Sequence, residues 1–192
     1  MTPKQLAQAT GARIDRAVEF LPHIEAAMHA YAIDQTPQRK AMFLANIGHE
    51  SGGLHWLVEI WGPTEAQRRY EGRADLGNVQ TGDGILYRGR GLLQTTGRTN
   101  YASARDRLRA RFSGLAVPDF VAVPELLAMP QWASLSAADF VGRESLNAVA
   151  DSGDFDGYCD RINRGHKTRT VGDSNGYAQR FALYQEGQGV FA

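Results

Sequence analysis

The chain has 192 residues, 21 basic and 21 acidic side chains, 43% hydrophobic residues, one cysteine and 21 glycines. That length suits one domain, residues 1–192, with a sizeable core, and the composition excludes a disordered or fibrous build. A formal net charge of zero argues against a dedicated nucleic-acid binder, which needs a strongly basic domain.

Thr2-Pro3-Lys4-Gln5 reads as a capping box with proline at the first helical position. Met1 to Leu6 opens no apolar stretch, so no signal peptide is read there. Nor does any apolar run approach the roughly 18–20 residues that span a bilayer, so stable membrane insertion is not expected. Ile14, Ala17, Val18 and Leu21 fall at helical spacing, Pro22 is expected to interrupt or kink the helix, and Ile24, Ala27, Met28 and Tyr31 continue the pattern. Thr36-Pro37 is a second cap-plus-proline start. From Ala41 to Ile47 the next helix is apolar on most faces, which predicts burial, and it stops at Ser51-Gly52-Gly53.

Residues 52–100 differ. Ten of the 21 glycines fall between 52 and 97, with no sustained helical period before Asn100. This predicts a loop-rich segment with at most short strands, such as Ile85-Leu86-Tyr87, and a stretch so long without regular structure is usually functional. Helices then resume. Tyr101, Ala104, Leu108 and Phe112 form one face, while Arg105, Arg107, Arg109 and Arg111 crowd the others. Trp132 to Val141 marks a helix running towards Leu146, with further helices over 154–162 and 174–185. Cys159 stands alone and reads as a small buried hydrophobe. The fold class is mainly α: two helical halves with a glycine-rich cleft between them.

Two carboxylates stand out. Glu50 sits at the end of the apolar helix, where desolvation and the negative helix terminus favour a protonated carboxyl, the form a general acid needs. A Glu paired with an Arg at a helix end is the structural alternative. Glu59 follows in the glycine-rich segment, as a second cleft carboxylate or as a solvated surface acid. An inverting glycosidase places two such groups about 6.5–9.5 Å apart with a water between. Downstream, closely spaced glycines let backbone approach a ligand, and Gln94, Thr96 and Asn100 can hydrogen-bond sugar hydroxyl and acetamido groups. Gly89-Arg90-Gly91 lacks the ending of a phosphate-binding loop. Trp56, Trp61 and Tyr70 either stack on sugar rings or cover the core. His49-Glu50 and His55 do not form a zinc-peptidase pattern, and neither metal nor cofactor is expected.

These residues carry a resemblance. His49-Glu50-Ser51-Gly52-Gly53, Glu59, Gly89-Arg90-Gly91-Leu92-Leu93-Gln94-Thr95-Thr96 and Asn100-Tyr101 resemble glycoside hydrolase family 19, which comprises plant-type chitinases and bacteriophage endolysins. Ile162-Asn163-Arg164-Gly165 resembles that family's Ile-Asn-Gly-Gly turn, and Arg180 with Tyr184 its C-terminal Arg-x-x-x-Tyr. The resemblance implies a lysozyme-like helical fold and an inverting mechanism, with Glu50 as general acid and Glu59 as general base. Thr96 takes the place of a serine that helps hold the attacking water. Gln94, Asn100 and Asn163 are implied substrate contacts, with Tyr87 beside them, and Arg180 is an implied charge partner within the same set. One departure stands out: plant-type chitinases carry a glutamate shortly after the turn, where this chain has Lys167.

The compact chain, without plant-type cysteines or an added wall-binding module, resembles phage lysins more closely. Five Arg against one Asp in 98–111 would favour an anionic polymer such as peptidoglycan if that helix face lines the cleft. The resulting expectation is a monomeric endolysin. It would cut β-1,4 bonds in peptidoglycan glycan strands, after synthesis in the host cytoplasm and release by a separate holin-type protein. A chitinase acting on chitin-like oligosaccharides, a lytic transglycosylase and a non-catalytic wall-binding module are the alternatives. The transglycosylase reading makes Glu59 dispensable, and the binding-module reading makes Glu50 dispensable.

Overall fold

The computed structural model describes residues 1–192. It is built of helices, and its only β features are isolated bridges joining Val58 to Arg90 and Arg90 to Thr95. Helix α1 (Pro3–Thr10) starts on the expected capping box, with Thr2 and Gln5 bonding reciprocally, and stops at left-handed Gly11. Helix α2 (Ile14–Ala30) runs through Pro22 without the expected interruption. Pro22 is exposed, so the Val18 carbonyl freed by its missing N–H lies on the solvent side, where Val18 is 57% exposed. The buried face is Ala17, Phe20, Ile24, Ala27 and Met28, and Ile14 lies outside it.

Helix α3 (Pro37–Glu50) is capped by the Thr36 hydroxyl, and Ala41 to Gly48 are all buried. It is the central helix, packed by α1 on one side and by three later helices on others. Small residues allow this crowding. A methyl added at Gly48 would lie 2.7 Å from the Thr10 Cα at the end of α1, and one at Gly53 would lie 2.7 Å from the Gly11 carbonyl.

The glycine-rich segment holds two single-turn helices, α4 (Glu65–Arg68) and α5 (Asp83–Leu86), and a 3-10 turn at Ala74–Leu76. The expected strand at 85–87 is therefore a helical turn, closed by the Tyr87 amide on the Asp83 carbonyl at 2.9 Å. Side chains take over the backbone bonding that strands would have supplied. Glu71 accepts from the amides of Gly82 and Gly84, and Asn78 bonds the Tyr70 carbonyl and the Arg98 amide. Asp83, with its side chain 2% exposed, pairs with Arg98 through Oδ1 at 2.5 Å and Oδ2 at 3.0 Å. That pairing holds the Asp83 carboxyl below its ordinary value of 3.8.

Helix α6 (Arg98–Arg111) buries Tyr101, Ala104 and Leu108 as expected. Its arginines do not form a free basic face. Arg105 binds Asp106 and Asp119, Arg109 binds the Val117 carbonyl, and Arg111 binds the Ala30 carbonyl with its guanidinium over the Tyr31 ring. Helix α7 (Pro130–Arg143) packs against α2 and α6. The stretch expected to continue towards Leu146 breaks at Ser145, in left-handed conformation at φ 54°, and α8 (Leu146–Asp151) follows. Helices α9 (Phe155–Arg164) and α10 (Tyr177–Phe191) close the fold, and α10 lies along α3 with Gly187 against Ala41. Cys159 is buried, which pushes its thiol up to about 12 and makes it an inert packing group.

Gly48→Ala should cost about 2–3 kcal/mol through overpacking of α1 on α3, read as a lowered urea midpoint. Asp83→Asn tests the tie in the glycine-rich segment. The wild type should exceed the variant in stability at neutral pH, and the gap should close as pH falls below 3.8, where the depressed Asp83 carboxyl takes up its proton. A gap independent of pH would show that the tie is not ionic.

Candidate active site

Glu50 is the last residue of α3, and of the two expected settings, a desolvated one and an arginine-paired one, its neighbourhood is the ionic one. Arg180, fully buried on α10, places Nη2 on Glu50 Oε1. The same guanidinium donates from Nη1 to Asn46 Oδ1 at 2.7 Å and from Nε to the Asn175 carbonyl at 2.9 Å. Asn46 lies four residues before Glu50 on the same face of α3, so one helix presents both acceptors to one cation. The Glu50 side chain stays 22% exposed, and its Oε2 has no partner in the protein. One oxygen is clamped and the other is available.

The loop between α9 and α10 supports this clamp. Asn163 Oδ1 accepts from the Asn175 amide at 3.2 Å, which links the Asn163 turn through Asn175 to Arg180. The turn ends on left-handed Gly165. Lys167 pairs with Asp154 at 2.6 Å, so the residue that departs from the family pattern is engaged away from Arg180. Asp160 anchors the loop. Burial alone would raise its carboxyl, but bonds from the Ser174 hydroxyl and the Thr168 amide outweigh this and hold it low. His49 bonds Gln179 at 2.8 Å. Burial, then the Arg180 charge, lower its pKa below 6.5, so at neutral pH it adds no charge beside Glu50.

Glu59 lies in the glycine-rich segment, in the isolated bridge region next to Val58. Its Oε1 accepts from Gln67 Nε2 at 2.9 Å and from the Tyr70 hydroxyl at 3.4 Å, and its Oε2 from the Gly89 amide at 3.0 Å. Three donors around two oxygens suit an ionised, acceptor-only carboxylate. Burial and the Glu59 charge together push the Tyr70 hydroxyl up, so Tyr70 acts as a standing donor to Glu59. Gly89 lies close to both Gln94 and Glu59. A Cβ there would come within 2.6 Å of Gln94 Oε1 and 3.4 Å of Glu59 Cβ.

That close approach puts Gln94 beside Glu59. Gln94, in left-handed conformation at φ 50°, donates Nε2 to the carbonyls of Trp56 (3.2 Å) and Gly91 (3.0 Å), leaving Oε1 towards Gly89. Thr96 and Asn100 join it in lining a pocket of about 230 Å³ between α6 and α7. The Thr96 hydroxyl donates to the Gln94 carbonyl at 2.9 Å, and Asn100 donates to the Thr96 carbonyl at 2.7 Å. Tyr87 is not part of this surface. It is 1% exposed, edge-on to Tyr101, with its hydroxyl on the Val121 carbonyl at 3.0 Å, so it is a core residue and cannot contact substrate. Arg180 likewise is too buried to touch a ligand and acts through Glu50. Trp56 is half exposed and edge-on to His55, whereas Trp61 packs near Tyr70.

No model of a protein family matches the chain. A part of it is 37% identical, in an alignment of 94 residues covering 35% of this chain and 47% of the relative, to a "Glycosyl hydrolase family 19 domain-containing protein" of Haemophilus influenzae (strain ATCC 51907 / DSM 11121 / KW20 / Rd). The match thus spans about half of that relative's length. The fold is similar to two solved structures of chitinase C, one from Streptomyces griseus HUT6037 and one a mutant form. Each has a TM-score of 0.71 and 20% identity over 99% of this chain and 76% of the other. Over the aligned part, the chain is similar to a glycoside hydrolase family 19 domain.

The sequence points to both acids and, through the resemblance, to Arg180 as a charge partner, but it does not single out Asn46, Gln67 or the Gly89 amide. Asn46 had a signal, a lone amide inside an apolar helix four residues before Glu50. Gln67 had a capping-box signal with Thr64, and its side chain serves the cap and Glu59 together. Gly89 was noted only as part of a glycine run.

Removing the Glu50 side chain strands the Arg180 charge, whereas Gln keeps a neutral acceptor. Thermal unfolding should place Glu50→Ala about 3 kcal/mol below the wild type, roughly 6–12 °C in Tm for a chain of this length. Glu50→Gln should fall between the two. An unchanged Tm for the Ala variant would show that Arg180 does not depend on Glu50.

Proposed function

We propose that this chain is a glycoside hydrolase that cleaves β-1,4 bonds between N-acetylated amino sugars by an inverting mechanism, with the glycan strands of peptidoglycan as substrate. The single observation behind this reading is the pair of differently held carboxylates. Glu50 has one oxygen clamped by a buried arginine and one free, and Glu59 is ringed by three donors. In this reading Glu50 Oε2 carries the proton to the leaving glycosidic oxygen. Arg180 fixes the rotamer and balances the charge once that proton has left. Glu59 draws a proton from a water that attacks the anomeric carbon from the opposite side, and Thr96 helps hold that water. Gln94 and Asn100 contact the sugar from the loop wall, Asn163 does so from the turn beside Arg180, and Trp56 offers an exposed ring for stacking. As a phage-type endolysin the chain would work as a monomer, made in the host cytoplasm and reaching the wall through a holin-type partner.

A second reading, a chitinase, is favoured by the two solved structures of similar fold, both described as chitinase C. Chito-oligosaccharides and peptidoglycan share the N-acetylglucosamine unit, so product analysis separates the two. Purified sacculi should yield muropeptides with reducing, non-anhydro ends by mass spectrometry. Anhydro-muramyl ends would mean transglycosylation, and cleavage of chitohexaose without release from sacculi would establish a chitinase. Glu59→Gln should lower kcat by about 10²–10⁴-fold with the fold intact. Near-full activity of that variant would remove the two-carboxylate mechanism.

A further inference from the structure

The pocket that carries Gln94, Thr96 and Asn100 continues between α6 and α7 to two arginines, Arg107 and Arg143. Four of the five arginines on α6 are committed: Arg98 to Asp83, Arg105 to Asp106 and Asp119, Arg109 and Arg111 to backbone carbonyls. Arg107 differs. Only its Nε is used, donating to Asp139 Oδ2 at 2.6 Å, and Asp139 also accepts from the Tyr31 hydroxyl at 3.2 Å. Both η nitrogens of Arg107 are without a protein acceptor. Arg143, on α7, lies 4.7 Å over the Phe140 ring and meets only its neighbour Glu144, at 3.4 Å through Nε. The two side chains are 38% and 40% exposed, and the same pair borders a second depression, which Asp139 also lines.

The pocket therefore joins a neutral hydrogen-bonding end to a cationic end. A neutral polymer lying in it would cover two guanidinium groups without giving their donors a charged acceptor, at a cost in desolvation. A carboxylate matches them, because the planar guanidinium fork binds carboxylates in bidentate fashion. We propose that this end is a subsite for a carboxylate carried on the glycan, with Arg107 and Arg143 as its donors, so that the cleft selects an acidic amino-sugar polymer over a neutral one. The inference rests on the glycosidase reading above. The carboxylate has two sources in peptidoglycan: the lactyl group of a peptide-free muramic acid, or the stem peptide on a substituted one.

The test uses the full chain carrying Glu50→Gln, titrated calorimetrically with three tetrasaccharides at about 50 mM salt, where charge pairs are weakly screened. These are chitotetraose, a peptide-free N-acetylglucosamine–N-acetylmuramic acid repeat, and the same repeat bearing L-alanyl-D-isoglutamine. At least one acidic ligand should bind about fivefold or more tightly than chitotetraose, and which one identifies the source of the carboxylate. Adding Arg143→Gln, a surface change that leaves the Arg107–Asp139 pair in place, should erase that preference, and Arg143→Lys should keep part of it. Equal affinity for all three ligands, no binding of either acidic ligand, or a loss on Arg143→Gln that is as large for chitotetraose overturns the subsite. Wild-type turnover of chitohexaose and sacculi is read separately. Cleavage without a carboxylate preference removes only this subsite, whereas no cleavage of either substrate removes the glycosidase reading and the subsite with it.

Discussion

A guanidinium sealed inside the protein is the constraint around which the rest of this fold is arranged. Arg180 is fully buried, and desolvating such a charge is tolerable only when its donors are matched and an anion is close by. Three acceptors meet that demand: the Asn46 side chain, the Asn175 carbonyl and the Glu50 carboxylate. They come from the middle of α3, the loop before α10 and the end of α3. Satisfying one cation therefore fixes how α10 lies on α3 and how the last side chain of α3 is turned. The small residues of α3, the loop bonds centred on Asp160 and the left-handed Gly165 all serve that placement.

The glycine-rich segment solves a different problem. Residues 52–97 have little regular structure, so many of their backbone groups are satisfied piecemeal by Gln67, Glu71, Asn78 and Asp83. Buried Arg90 is held more loosely than Arg180: its Nη1 reaches the Leu86 carbonyl and the Tyr101 hydroxyl, its Nε has no partner, and Glu125 lies 3.6 Å from Nη2. Glu59 is positioned by the same fabric, through Gln67 and the Gly89 amide. One acid is thus set by a helix terminus and a buried ion pair, the other by a mesh of amide bonds.

Much of this was legible in the residues. Caps at Thr2 and Thr36, the apolar run of α3 and the glycine excess each reported a local rule, and local rules survive folding when nothing competes with them. What could not be read depended on partners distant in sequence. Pro22 would have broken α2 if its lost bond had faced the core, but the face that points outward is a tertiary fact. Ile85-Leu86-Tyr87 has strand-like residues, yet the Asp83–Arg98 tie curls it into a turn and sends Tyr87 inward. The arginines of α6 looked like one basic face because their spacing shows only where they start; the aspartates and carbonyls that absorb them come from four other segments. Glu50 was recognisable as an acid at a helix end, and its arginine, 130 residues away, was marked only by the resemblance and not by any local spacing.

Arginine outnumbers lysine eighteen to three in this chain, and the interior ties use the former. Lys4, Lys40 and Lys167 all lie outside them, and only Lys167 forms an ion pair, at the surface. A guanidinium keeps its charge to beyond about pH 12, whereas an amine begins to lose it near 10. The clamp on Glu50 and the brace through Arg90 are therefore indifferent to alkali. Lysine acylation or coupling to an amine-reactive support likewise reaches none of the groups that hold the two acids. Amine chemistry on this protein therefore leaves the Glu50–Arg180 clamp itself unmodified.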